Sequence, residues 1–146
     1  MIPRKILCCT DFSEKSEQAV SMAADYAKAF GASLTVLHVI QSHFFGDLAI
    51  DDSVPYMVTQ ETVEQRTQKK LQAIAEEFRP SVPELETHFR VGKPVEEIVR
   101  FQKEEAIDLV VLGGHGYTGF DKLLLGDTVD RILRKATCPV MVVRLN

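Results

Sequence analysis

The chain has 146 residues, 45% hydrophobic and 26% charged, with a formal net charge of −4. That is one domain's worth of chain, able to bury roughly two thirds of its unfolded surface, and the mix excludes disordered and fibrous classes. The negative field argues against nucleic acid and anionic membrane as partners, and no apolar run approaches the roughly 20 residues of a bilayer span.

In chain order, residues 5–10 (KILCCT) form a short apolar run, the first strand, and Asp11-Phe12-Ser13-Glu14 follows with helix-capping chemistry centred on Ser13. Over residues 14–30, Ala19, Val20, Ala23, Ala24, Ala27 and Phe30 recur at three- and four-residue steps, one apolar stripe on a helix that Gly31 ends. A β-branched strand is predicted over 33–40, a long irregular loop over 41–58, and an amphipathic helix over 59–78 closed by Pro80 and Pro83. The charged run from Glu61 to Lys70 reads as that helix's solvated face. Residues 84–91 alternate as a strand, and Gly92-Lys93-Pro94 turns the chain into a short helix over 95–104. A buried strand over 108–113, a glycine-rich loop, a helix over 128–135 and a last strand over 138–144 complete a strict alternation. Five strands and four helices in this order imply a mostly parallel sheet with helices on both faces, in a single domain over 1–146.

In such a sheet, ligands bind beyond the carboxyl ends of the strands where strand order reverses. The segment Gly113-Gly114-His115-Gly116-Tyr117-Thr118-Gly119, leading to Gly126-Asp127-Thr128, has the composition of a phosphate-binding turn. Glycines let backbone amides approach an anion, and a helix N-terminus adds oriented donors. A tight bend with no ligand would use the same glycines, so composition leaves both readings open. His115 reads as a solvated loop residue and His38 as a satisfied core histidine. Cys8 and Cys9 point to opposite sheet faces by strand periodicity. With Cys138 they match neither an even disulfide framework nor a metal-ligand spacing, so no metal site is expected and the thiols read as reduced. With no basic stretch leading into a signal-type apolar run, the expected location is the cytoplasm.

Gly113, Gly116 and Gly126 match the G-2x-G-9x-G spacing of the universal stress protein family. Thr10-Asp11-Phe12-Ser13 is similar to that family's first strand end, His38-Val39-Ile40 to its second, and Cys138-Pro139-Val140-Met141-Val142-Val143 to its closing strand. The chain thus resembles the family along nearly its whole length. The resemblance implies a Rossmann-like fold of the adenine nucleotide alpha hydrolase-like kind, strand order 3-2-1-4-5, with ATP, AMP or cyclic AMP between the first and fourth strands and Mg2+ on the phosphates. It implies Cys9, Thr10 and Asp11 near the base and ribose, Val39 and Leu112 flanking the base, and Gly113, Gly116, Gly126, Asp127 and Thr128 around the phosphates. It also implies a homodimer through the C-terminal strand that regulates a stress response through an unidentified protein partner.

Two departures from the family pattern stand out. Cys9 replaces a proline, which alters one backbone contact near the base. Asp127 replaces a hydroxyl residue beside the phosphates, where two unit charges about 4 Å apart repel by roughly 4 kcal/mol at an effective dielectric near 20. A bound Mg2+ would reverse that sign, and Asp127 capping the helix while Thr128 supplies the hydroxyl would weaken it. Among other classes, a receiver domain needs an aspartate after the third strand and a lysine after the fifth, where this chain has Val91-Gly92-Lys93 and Arg144. A flavodoxin needs glycines where Asp11-Phe12-Ser13-Glu14 stands, and neither HxGH, SGGxDS nor GxxxxGK[ST] occurs. No catalytic residue is assigned. A slow ATPase, or a dimeric interaction module without nucleotide, are the alternatives.

Overall fold

Elements form where an apolar period meets a start and a stop signal. The computed structural model describes residues 1–41, 60–114 and 121–144, the side chains of 121–126 excepted. Among these, β1 (Lys5–Cys9), α1 (Glu14–Phe30), β2 (Ser33–Gln41), α2 (Gln60–Phe78), β3 (Leu85–Gly92), α3 (Pro94–Glu104), β4 (Leu109–Gly114), α4 (Asp121–Lys135) and β5 (Val140–Arg144) follow in strict alternation. All neighbouring strands pair in parallel, in the order β3-β2-β1-β4-β5. The order implied by the sequence is the order observed. After Gln41, the loop expected over 41–58 lies outside the described residues, as do His115 and Gly116. No helix among the described residues is long and apolar enough to cross a membrane.

Register follows from burying both sheet faces. Ile6 lies level with Leu34 and Leu109, and Cys8 with Val36 and Val111, so each row sends its side chains to one face. That face is covered by α1 and α2, with Ala19, Val20, Ala23, Leu71 and Ile74 in its core. Leu7, Leu37, Val110 and Leu112 fill the other face beneath α3 and α4. A one-residue slip would exchange the two sets, so the pattern pins the pairing. Cys8 belongs to the first core and Cys9 packs against the second, the opposite facing that strand period predicts.

The helix ends show why α1 stops and starts where it does. Ser13 is its N-cap, with Oγ accepting the Ser16 N–H at 3.2 Å, and Gly31 closes it with φ 66°, a left-handed conformation that costs a side-chain-bearing residue. Pro94 opens α3, where its missing N–H is harmless. Two boundaries differ from expectation by more than one residue. Strand β5 begins at Val140 rather than Cys138, and the Pro139 carbonyl accepts the Val110 N–H at 3.0 Å just before it. Helix α4 begins at Asp121 instead of residue 128, so Gly126 and Asp127 lie inside it. A single interior glycine costs about 1 kcal/mol, which the strong helix formers Lys122, Leu123, Leu124 and Leu125 offset.

At the amino ends of the strands, polar staples close the sheet. The Asp108 carboxylate accepts the backbone N–H of Arg4 at 3.0 Å and of Lys5 at 3.1 Å, fastening β1 to β4. Gln102, only 4% exposed, donates to the Ile107 carbonyl at 3.3 Å and accepts from the Thr137 amide and hydroxyl at 3.2 and 3.1 Å. This amide ties α3 to the segment entering β5. Truncation would strand buried donors and acceptors at about 1–3 kcal/mol. Gln102→Ala is expected to lower the unfolding free energy by about 2 kcal/mol in urea titration, with an unchanged m-value.

Candidate functional site

At the carboxyl ends of the strands the chain leaves β1 through a turn built on Thr10, which is 5% exposed. Its N–H extends the sheet by donating to the Leu37 carbonyl at 2.9 Å. Its hydroxyl oxygen accepts the Phe12 N–H at 3.0 Å and lies 3.0 Å from the Ser16 hydroxyl. Since the Ser16 hydroxyl donates to the Ser13 carbonyl at 2.9 Å, the Thr10 hydroxyl is the donor to Ser16. The Thr10 carbonyl accepts the Nδ1–H of His38 at 2.7 Å, which fixes that ring as the Nδ1–H tautomer when neutral. Asp11 projects from this knot with Oδ1 accepting the Ser13 N–H at 2.9 Å, and Phe12 is held at φ 65°.

Beside the knot opens a pocket of about 210 Å3 between the ends of β1, β2 and β4 and the helices α3 and α4. Leu37, Val39, Leu112, Ile98, Val129 and Ile132 make its apolar walls, and Thr10, Asp11, Lys15, Ser16 and Thr128 supply polar groups. It lies at the reversal of strand order, between β1 and β4, where an open parallel sheet leaves a crevice. Of the residues singled out by sequence, Cys9, Thr10, Asp11, Val39, Leu112, Gly113 and Thr128 all line it. Gly116 lies outside the described residues. Asp127 is not among the described lining residues and is exposed on α4, while Thr128, next in sequence, faces the pocket. The carboxylate expected to confront a phosphate therefore points elsewhere, because a 100° step per residue separates neighbours on a helix. Since α4 starts before Gly126, that residue's amide is also interior to the helix, where N–H groups bond the carbonyl four residues back.

Glycines around the site divide by cause. A Cβ on Gly114 would come within 2.8 Å of Val142 Cγ1, so this glycine serves the packing of β4 on β5. A Cβ on Gly113 would make ordinary contacts with Ala19, Lys15 and Ser16, the nearest at 3.5 Å, so packing does not require glycine there.

Sequence reasoning missed Lys15, Ser16, Leu37, His38, Gln41, Pro94, Ile98, Val129 and Ile132 as lining residues. Lys15 carried a signal. A cation in the first turn of a helix opposes the macrodipole by about 0.3–1 kcal/mol, a local penalty of the kind kept for a site. It is the one permanent cation among the described lining residues and pairs with no carboxylate among them. Pro94, Ile98 and Val129 carried none, since their place here depends on how α3 and α4 dock.

The family model described as "Universal stress protein family" matches residues 3–144. Universal stress protein MJ0531 of Methanocaldococcus jannaschii is 33% identical over 97% of this chain and 82% of its own length. Universal stress protein A homolog 1 of Coxiella burnetii is also 33% identical, over 96% of this chain and 95% of its own. Among solved structures, hypothetical protein MJ0577 superposes with a TM-score of 0.81 at 26% identity, covering 100% of this chain and 99% of that one. A universal stress protein in complex with cAMP superposes at 0.71 and 22% identity, covering 98% of both chains.

Burial sets the titration of the groups around the pocket. Loss of hydration pushes the Cys9 thiol up to about 12, and the Cys8 thiol is raised well above its usual value by burial and by Cys9 beside it. Both thiols are therefore protonated near neutral pH. His38 is lowered from 6.5, chiefly by burial, with Lys70 acting in the same direction and the Thr10 carbonyl and Asp11 acting against it. Its neutral form is favoured by folding, so its contribution to stability is complete above pH 6.5 and declines as pH falls toward the lower folded value. The His38 ring is expected to titrate in NMR with a midpoint below 6.5, and the acid-side loss of stability to shrink in His38→Gln; a midpoint at or above 6.5 contradicts this environment.

Proposed function

Because the chain belongs to the universal stress protein family, we propose that its pocket binds an adenine nucleotide and that the protein acts as a nucleotide-dependent regulator rather than as an enzyme. The observation that carries this reading is one crevice whose described lining combines apolar walls with a carboxylate and a cation. Val39 and Leu112 flank the planar base, with Ile98 and Val129 behind it. Thr10 and Asp11 sit within reach of the sugar hydroxyls, which a carboxylate accepts from readily. The phosphates run toward Gly113, Lys15 and Thr128, and Mg2+ accompanies them in ATP. A volume of about 210 Å3 is small beside the roughly 300–1,000 Å3 of drug-sized sites, which suits a buried base and sugar with the phosphates at the mouth. The cAMP complex of a protein with the same fold is compatible with this assignment, though at 22% identity that likeness concerns the fold. The assignment rests on the lining of the pocket.

The exposed position of Asp127 on α4 supports a polyanion in this crevice. An exposed carboxylate on the outer side of α4 is screened by solvent and salt, so the repulsion estimated for a facing charge no longer applies. Engaging the Gly126 amide, by contrast, requires the first turns of α4 to unwind, because that N–H lies within the helix. Binding energy spent on unwinding is the means by which a ligand would change the surface presented to a protein partner. Two copies join through β5, the strand at one edge of the sheet formed by the described residues.

Titration calorimetry with adenosine, AMP and ATP, with and without Mg2+, tests these roles together. ATP is expected to bind more tightly than adenosine, and Lys15→Met to weaken ATP about tenfold, the worth of one charge-assisted contact, while leaving adenosine unchanged. Asp127→Ser is expected to move ATP affinity by less than about threefold. Absence of binding for every one of these ligands would end the nucleotide assignment, whereas an equal loss for ATP and adenosine in Lys15→Met would remove only the lysine's phosphate role.

A further inference from the structure

A second cleft, of about 330 Å3, lies across Asp11 from the nucleotide pocket, between the β1–α1 turn and the outer side of α2. Asp11 and His38 form the wall it shares with that pocket, and Phe12, Val63, Arg66, Thr67 and Lys70 make the rest. Three features distinguish this cleft. Arg66 and Lys70 stand four residues apart on one helix, a like-charge spacing that works against the helix. Both are exposed, and neither pairs with a carboxylate among the described residues. Phe12, a bulky aromatic, is held in the left-handed region at φ 65°, a conformation that persists only where its surroundings enforce it.

That conformation has a visible result. The Phe12 ring lies 4.4 Å from the His38 ring, centroid to centroid, and beneath the Lys70 ammonium at 5.1 Å. Phe12 is therefore the floor of the cleft, and its contact with Lys70 keeps one cation over that floor. The cation–π contact accounts for the position of Lys70 but not for Arg66, which has no such partner among the described residues. With His38 neutral, the lining carries two positive charges against the single carboxylate of Asp11, whose Oδ1 is already turned to the Ser13 N–H.

We propose that this cleft is a second anion site, taking the phosphoryl group of a small phosphomonoester between Arg66 and Lys70 with Phe12 below it. Guanidinium and ammonium supply charge-assisted donors in a fork and a point, the combination suited to a tetrahedral oxyanion. The buried Thr67 on the same helix face adds a hydroxyl to the lining. The site rests on α2 side chains that the nucleotide pocket does not use, so it stands or falls independently of the nucleotide assignment.

The test is an amide-resolved NMR titration of the full chain with inorganic phosphate. The expected result is a saturable shift of the Phe12, Val63, Thr67 and Lys70 amides, weakened about tenfold or more in an Arg66→Gln, Lys70→Gln double variant whose helix and fold are conserved. Lys69→Gln removes the same kind of charge from an exposed neighbour outside the lining and is expected to titrate as the unmodified protein. Shifts confined to Gly113 and Thr128, a double variant that titrates unchanged, or an equal loss in Lys69→Gln would each overturn the proposal.

Discussion

The functional end of the molecule depends on the buried hydroxyl of Thr10. One oxygen accepts the Phe12 N–H while its O–H donates to Ser16, whose own hydroxyl donates to the Ser13 carbonyl. This relay satisfies the backbone where a strand must become a helix within four residues, at a point where water has little access. Asp11 and Phe12 are consequently turned to opposite sides of one tight turn. Asp11 borders both clefts, and Phe12 with His38 forms the partition on the side of α2. A valine here would keep the shape and lose the relay.

The parallel sheet explains why these groups converge on a crevice at all. With β1 between β2 and β4, the crossovers on either side of it leave to opposite faces, which opens a crevice at the carboxyl end where they part. The walls then come from residues already committed to the second core. Leu37, Leu112, Ile98 and Ile132 are core residues whose upper surfaces line the pocket. Rigidity of the walls is thus inherited from packing, while polar selectivity is left to Asp11, Lys15 and Thr128. The end of the sheet bearing Asp108 and Gln102 carries the stapling hydrogen bonds, so stability and recognition are assigned to opposite ends of the strands.

Helix α4 illustrates a competition that local rules do not resolve. Gly126 reads as a break and the glycine-rich segment as a loop that ends there, yet the helix extends back to Asp121. The outcome alters the chemistry of the site more than any other boundary. It carries Asp127 to an exposed position, leaves Thr128 in the pocket and moves the free N-terminal amides of the helix upstream of Gly126. A ligand that draws on the Gly126 amide has to work against the helix, whereas one held by Lys15, Gly113 and Thr128 does not.

By itself, the sequence determined the alternation of elements, the parallel sheet and the identity of most of the pocket's β1, β2 and β4 residues. The alternation and the sheet follow from local causes, the apolar period, the Ser13 cap and the Gly31 stop, whereas the pocket residues follow from the family resemblance carried by Thr10-Asp11-Phe12-Ser13 and the matching strand ends. It also held a readable sign of Lys15, in a charge placed against the helix dipole. Tertiary structure alone decided which surfaces of α2, α3 and α4 face the ends of the strands, and hence that Pro94, Ile98 and Val129 join one cleft and Arg66 and Lys70 another. The physical reason is that helix rotation and docking are set by the summed packing of residues distant in sequence, whereas the period along one element reports only which of its sides is buried.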